Sequence, residues 1–230
     1  MVRPVTAREL LASPQVAPSI LSADFGRLGD QVATVMDAGA RVIHVDVMDG
    51  HFVPPITIGD LIVGALADQV HDAGGILDVH LMIERPERQV DAFAKAGADV
   101  ITVHQEATPN VHYAVNAVRE AGCLAGLAIN PATPAETVAE VAGDVDVLLC
   151  MTVNPGWGGQ AFIPHSTEKV ERLRELVPGD VAIEVDGGID SASAPRCAAA
   201  GARLFVAGSA VFGADDPGRA YQEIERSVSG

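Results

Sequence analysis

The sequence predicts an α/β protein folded as a closed (β/α)8 barrel, and three observations carry that expectation. Eight short runs rich in β-branched residues recur along 230 residues, about one every 29. Between them lie Ala-, Glu- and Arg-rich stretches with helical spacing, and strands that alternate with helices imply a parallel sheet. The third observation is a weak repeat. Ala38-Gly39-Ala40, Ala96-Gly97-Ala98 and Ala200-Gly201-Ala202 each stand just before a run. A glycine there suits the left-handed cap that ends a helix. The competing architecture, an open doubly wound sheet, would want a G-x-G-x-x-G turn after the first strand, and none follows it.

The expected strands cover residues 15–21, 41–47, 76–82, 99–104, 124–130, 146–153, 181–187 and 203–208. Together they make one TIM-barrel domain spanning 1–230. Residues 1–14 are read as an N-terminal capping segment, with Pro4 and Pro14 limiting helix.

Composition narrows the function. Lys and Arg number 15 against 31 Asp and Glu, a formal charge of −16. So acidic a chain repels nucleic acid and anionic membranes, so neither is expected as a partner. A small anionic ligand would need local positive features instead. Three cysteines with no C-x-x-C spacing suggest buried thiols in a reduced compartment. The first 15 residues hold no apolar signal-peptide core, and no run of 18 apolar residues occurs. A cytoplasmic location is expected. Only Lys95 and Lys169 exist, both in helical stretches, so no lysine stands at a strand end for Schiff-base chemistry or a phosphate clamp.

In a barrel, chemistry collects at the C-terminal ends of strands. In the second strand, alternation puts His44, Asp46 and Met48 on one face, with Ile43, Val45 and Val47 on the other. The third strand places Asp78, His80 and Met82 together, and the seventh Ala182, Glu184 and Asp186. Buried imidazoles and carboxylates are costly unless paired or metal-bound. His44, Asp46, His80 and Asp186 therefore suggest a site for one divalent cation, with a hydrogen-bonded polar cluster as the alternative. Glu184 would orient a ligating imidazole or simply satisfy the core. His104, at the end of the fourth strand beside Gln105 and Glu106, would either support a ligating residue or, the favoured reading, be an ordinary core residue, and His71 and His112 are read as solvated. After the sixth strand, Asn154-Pro155-Gly156-Trp157-Gly158-Gly159-Gln160 would let backbone N–H groups approach an anion. With Gly187-Gly188 and Gly208-Ser209 it suggests a phosphate site.

Five segments resemble ribulose-phosphate 3-epimerases: Pro18 to Asp24, His44 to Pro54, Asp78 to Met82, Met151 to Gln160 and Val185 to Ile189. The resemblance runs from about Pro18 to Phe212. It implies a ribulose-phosphate-binding barrel that interconverts D-ribulose 5-phosphate and D-xylulose 5-phosphate by proton transfer at C3. It implies His44, Asp46, His80 and Asp186 as ligands of one divalent ion (Zn²⁺, Fe²⁺, Mn²⁺ or Co²⁺), with Asp46 and Asp186 as the acid–base pair. Ser19, His80, Gly156, Trp157, Gly158, Gly159, Asp186, Gly187, Gly188, Gly208 and Ser209 would contact substrate. Met48, Met82 and Met151 would line the site, and a homo-oligomer is expected. Pro55 stands where the family usually has Asn, and Trp157 where Phe is also common. Alternatives are a 3-epimerase of a six-carbon ketose phosphate such as allulose 6-phosphate, and a non-catalytic sugar-phosphate binder. A decarboxylase of the same superfamily would want lysine at position 48, where Met48 stands.

Overall fold

The computed structural model describes residues 6–228. Eight parallel strands alternate with helices. The strands are β1 (Gln15–Pro18), β2 (Val42–Met48), β3 (Ile76–Met82), β4 (Val100–His104), β5 (Leu124–Ile129), β6 (Val147–Met151), β7 (Ala182–Asp186) and β8 (Leu204–Ala207). The helices are α1 (Ala7–Leu11), α2 (Leu28–Asp37), α3 (Asp60–Asp72), α4 (Val90–Ala96), α5 (Val111–Glu120), α6 (Ser166–Leu176), α7 (Ala194–Ala199), α8 (Ser209–Phe212) and α9 (Pro217–Val228). The sheet order runs β1-β8-β7-β6-β5-β4-β3-β2, so each strand neighbours its sequence successor around the barrel. A parallel bridge from Ser19 to His44 closes the wall between β1 and β2.

Seven strands match the expected runs to within two residues at either end. The first is shorter than expected. It stops at Pro18, and Ile20–Ser22 forms a 3₁₀ turn because Ser19 Oγ accepts from Leu21 N–H at 3.3 Å. The β5–β6 crossover contains a 3₁₀ turn (Ala135–Val138) instead of an α-helix. Pro131 and Pro134 lie in that crossover, and proline cannot donate within a helix. Residues 1–5 of the capping segment lie outside the described residues. Thr6 caps α1 reciprocally with Glu9, and Leu11 packs into the barrel's lower end.

The barrel interior is layered. Leu11, Ala17, Val42, Ile76, Val100, Val147, Ala182, Leu204 and Val206 form one apolar cluster toward the N-terminal ends of the strands. The outward faces of the strands meet the helices in a separate, larger apolar core. Above the lower cluster the interior changes character. Register places His44 beside Asp78 and Asp46 beside His80, while Leu149 adjoins Glu184 and Met151 adjoins Asp186. Gly126 is required in this layer, since a Cβ there would lie 2.0 Å from Thr102 Oγ1. Among the described residues no helix is long and apolar enough to cross a membrane.

Candidate active site

Strand ends and three loops surround one cavity of about 540 Å³ that is partly open to solvent. Ser19, Asp46, Met48, Met82, Met151 and Asp186 come from the ends of strands. Gly156, Trp157, Gly158 and Gly159 form one side, and Gly187, Gly188, Gly208 and Ser209 another. His44 and His80 lie beneath these groups and are fully buried. Every candidate site residue from the sequence is thus in the wall of the cavity or directly behind it. Trp157 is 56% exposed, which puts its ring at the mouth.

The loops are tight for local reasons. Gly187 and Gly188 have φ of +120° and +64°, and their backbones lie against Val153 and Phe162. A Cβ at Gly188 would come within 2.5 Å of Phe162 N, so the β7 loop packs closer than any side chain allows. Asp49, part of the recognisable motif after β2, serves structure. Its Oδ1 accepts from His51 and Phe52 N–H, and its Oδ2 accepts from Glu84 N–H, tying the β2 and β3 loops together. The Pro55 carbonyl accepts from Gly50 N–H at 2.8 Å in this loop.

At the floor, one donor atom from each of His44, Asp46, His80 and Asp186 lies within 4.8 Å of the others. His80 Nδ1 stands 3.1 Å from Asp46 Oδ1 and 3.7 Å from Asp186 Oδ2. His44 Nε2 is 3.3 Å from Asp46 Oδ1 but makes no aligned hydrogen bond, and it is buried. An orphaned imidazole nitrogen aimed at two carboxylates and a second imidazole is the donor set a divalent transition ion takes, so these residues fit such an ion.

The two carboxylates differ in protonation. Burial disfavours charge on Asp46, but its neighbours, His44 foremost, outweigh it and hold the group well below the usual range. Ser19 Oγ also donates to Asp46 Oδ2 at 2.5 Å. Asp186 has no such support. Burial first, then the negative charge of Asp46, pushes it up to about 8. At neutral pH one carboxylate is ionised and the other holds a proton.

Further polar groups lie below. His44 Nδ1 is 2.7 Å from Asp78 Oδ2 and 3.7 Å from Glu184 Oε1. Burial and the Asp78 charge raise Glu184 well above the ordinary range, which favours its neutral form. Asp78 and Glu184 are inward-facing, as alternation indicated. His104 takes the less favoured of its two sequence readings, that of a residue supporting the site. It is fully buried with Nε2 2.8 Å from His80 Nε2, in contact with the site. The signal was present in the sequence, since His104 ends a strand, but a lone histidine gave no direction. His71 lies on α3 and is exposed, as expected, with its Nε2 2.8 Å from Asp99 Oδ2. Lys169 is buried and donates to the carbonyls of Asn130 and Pro131.

Comparison with known proteins agrees with this geometry. Residues 15–212 match the model of the Ribulose-phosphate 3 epimerase family. The chain belongs to that family. Ribulose-phosphate 3-epimerase of Bacillus subtilis is 50% identical over 217 residues, covering 93% of this chain and 99% of the relative. The Escherichia coli K12 protein of the same name is 44% identical over 217 residues, covering 93% and 96%. Among solved structures, KGPDC from Streptococcus mutans superposes with a TM-score of 0.71 at 16% identity, covering 94% of this chain and 97% of that one. That likeness concerns the fold.

Proposed function

We propose that this member of the family interconverts D-ribulose 5-phosphate and D-xylulose 5-phosphate by moving a proton at C3. The observation that carries the reading is the Asp46–Asp186 pair, two carboxylates brought from β2 and β7 to the floor of one cavity. Inversion at C3 requires a proton to leave one face and another to arrive at the opposite face. A single base would return the proton to its own side. Asp46, ionised and on β2, accepts the first proton at Oδ2, the oxygen that Ser19 also contacts. Asp186, on β7 at the other side of the cavity floor, is the group that delivers the other. In the reverse reaction the roles exchange.

His44, Asp46, His80 and Asp186 are the residues that would hold a divalent ion. Bound there, the ion supplies Lewis-acid stabilisation for negative charge developing on O2 and O3 of the sugar. The buried Met48, Met82 and Met151 offer the intermediate no hydrogen bond and keep water from it. Gly156, Trp157, Gly158 and Gly159 on one side, with Gly187, Gly188, Gly208 and Ser209 on the other, hold the sugar phosphate in register. Backbone N–H groups do this in place of lysine, because a chain of net charge −16 offers no attracting field.

The same reading includes a homo-oligomer, supported by Ile56 and Leu61, both more than four-fifths exposed. It includes a cytoplasmic location, supported by three buried free thiols. The test is a coupled assay on D-ribulose 5-phosphate, with and without chelator, alongside a six-carbon ketose phosphate. Turnover on the pentose, lost on chelation and restored by added metal, is expected. Absence of pentose turnover in the metal-loaded chain sinks the reading.

A further inference from the structure

His80 has two ring nitrogens, and only Nδ1 faces the carboxylate cluster. For a neutral imidazole to ligate through Nδ1, its proton must sit on Nε2. We propose that His104 and Glu106 form a positioning relay that places the proton of His80 on Nε2 and so presents the Nδ1 lone pair to the ligand cluster. This rests on the proposed role of His80 as a ligand.

A chain of hydrogen bonds runs inward from Asn130 and Thr133 to His80. Glu106 Oε1 accepts from Asn130 N–H at 2.8 Å and from Thr133 Oγ1. The Asn130 N–H can only donate and the Thr133 hydroxyl donates beside it, so Glu106 is the acceptor. Its other oxygen, Oε2, lies 3.3 Å from His104 Nδ1. That nitrogen must then carry hydrogen. A neutral imidazole has only one N–H, so His104 Nε2 is left with a lone pair. His104 Nε2 and His80 Nε2 are 2.8 Å apart, close enough for one proton between them. With His104 unable to supply it, His80 does, against the pull of Asp46 Oδ1, which lies 3.1 Å from Nδ1 and favours the opposite tautomer. His80 is thereby protonated on Nε2 and open on Nδ1.

The chemistry of the surroundings agrees. His104 is fully buried, which favours its neutral form. Burial opposes the charge of Glu106, but hydrogen bonds from His104, Thr133 and Asn130 outweigh that cost and hold it at about 2. Phe52 covers the His104 ring, with centroids 4.8 Å apart, and the His80 and His104 rings are nearly parallel at 24°. The relay is therefore packed in one geometry. His44 makes an instructive partner. Its Nδ1 faces Asp78 at 2.7 Å and its Nε2 faces the cluster, the reverse assignment to that of His80. Each imidazole presents whichever nitrogen its outer partner leaves open.

The experiment uses the full chain, ¹⁵N-labelled at histidine, with NMR of the chelated protein and Co²⁺ titration of the same samples. In the wild type, His80 is expected as the Nε2–H tautomer. Glu106→Gln is the informative variant. Its amide oxygen can still accept from Asn130 and Thr133, which turns its NH₂ toward His104 Nδ1 and reverses the relay. His80 should change to the Nδ1–H tautomer, and Co²⁺ affinity should fall about 10–100-fold, the usual cost of losing an outer partner. Glu106→Asp, which keeps an acceptor, should recover part of that loss. An Nδ1–H tautomer in the wild type overturns the proposal without need of any variant, so a Glu106→Gln chain that fails to fold does not rescue it. Wild-type tautomer and wild-type Co²⁺ affinity in folded Glu106→Gln also overturn it, while leaving the proposed reaction standing. A wild type that binds no Co²⁺ overturns the ligand role of His80 as well, and so separates the two failures.

Discussion

The two ends of the barrel interior are built from the same strands and share one geometry, yet they hold opposite chemistry. Toward the N-terminal ends, Val42, Ile76, Val147, Ala182 and Leu204 pack with Leu11 into an apolar cluster. One pleat or two further along, the same strands carry His44, Asp46, Asp78, His80, Glu184 and Asp186, all but Asp186 buried. The lower layer gains stability from burial. The upper layer gathers ionisable groups that would cost stability singly, and it offsets that cost through mutual hydrogen bonds and, in the proposed function, a bound cation. The contrast teaches that one scaffold separates stability and reactivity by position along the strand.

The sharpest break in that contrast is Asp186→Asn. It removes the protonated partner, and turnover on D-ribulose 5-phosphate should fall about 10²–10³-fold, measured by coupled assay. The thermal midpoint of the chelated variant should be equal to or above that of the wild type, because a buried carboxyl beside Asp46 is replaced by a neutral isostere. The converse substitution is Leu204→Ala in the lower layer. It should cost about 2–5 kcal/mol in denaturant unfolding and leave KM unchanged wherever the chain is folded.

A pH series sharpens the comparison further. Asp186 is raised to about 8 from 3.8, and Glu184 and His44 are raised well above 4.5 and 6.5. Groups with raised native pKa bind protons more tightly when folded, so their stabilisation is complete below the unfolded pKa and is lost as pH rises through the native value. The lowered Asp46 works the other way, but its contribution is constant above about pH 4. The chelated chain should therefore lose thermal stability as pH rises from about 4 to about 8, and Asp186→Asn should flatten that slope. Metal binding must displace the same protons, so apparent Co²⁺ affinity should climb over this range and level off above about 8. A pH-independent midpoint would mean the upper layer is electrostatically no different from the lower one. The smallest effect belongs to the rim. Trp157→Phe at the exposed mouth should alter kcat/KM by about twofold at most, the scale of a half-kilocalorie surface change.

Much of this was legible in the residues. Alternation along β2, β3 and β7 is a local property of extended chain, so the inward grouping of His44 with Asp46, Asp78 with His80, and Glu184 with Asp186 followed without any tertiary knowledge. Gly187 and Gly188 likewise announced a close approach that the positive φ values explain. His104 was not legible in the same way. Its significance depends on a neighbour 24 residues away, and nothing local distinguishes a core histidine from one touching a ligand. The early end of β1 was missed because the Ser19 hydroxyl competes with the sheet for the backbone, an effect that hydrophobic pattern does not register.

By itself, then, the sequence determined the eight βα units, their parallel sense and the set of polar side chains facing the axis, since these follow from periodicity and from the need of each strand to bury one face. Only the closed barrel decided the rest. It brought β2 and β7 near enough for Asp46 to raise the pKa of Asp186, and it set His104 against His80. Protonation and tautomer are properties of distance and dielectric between residues far apart in the chain, and those exist only once the wall has closed.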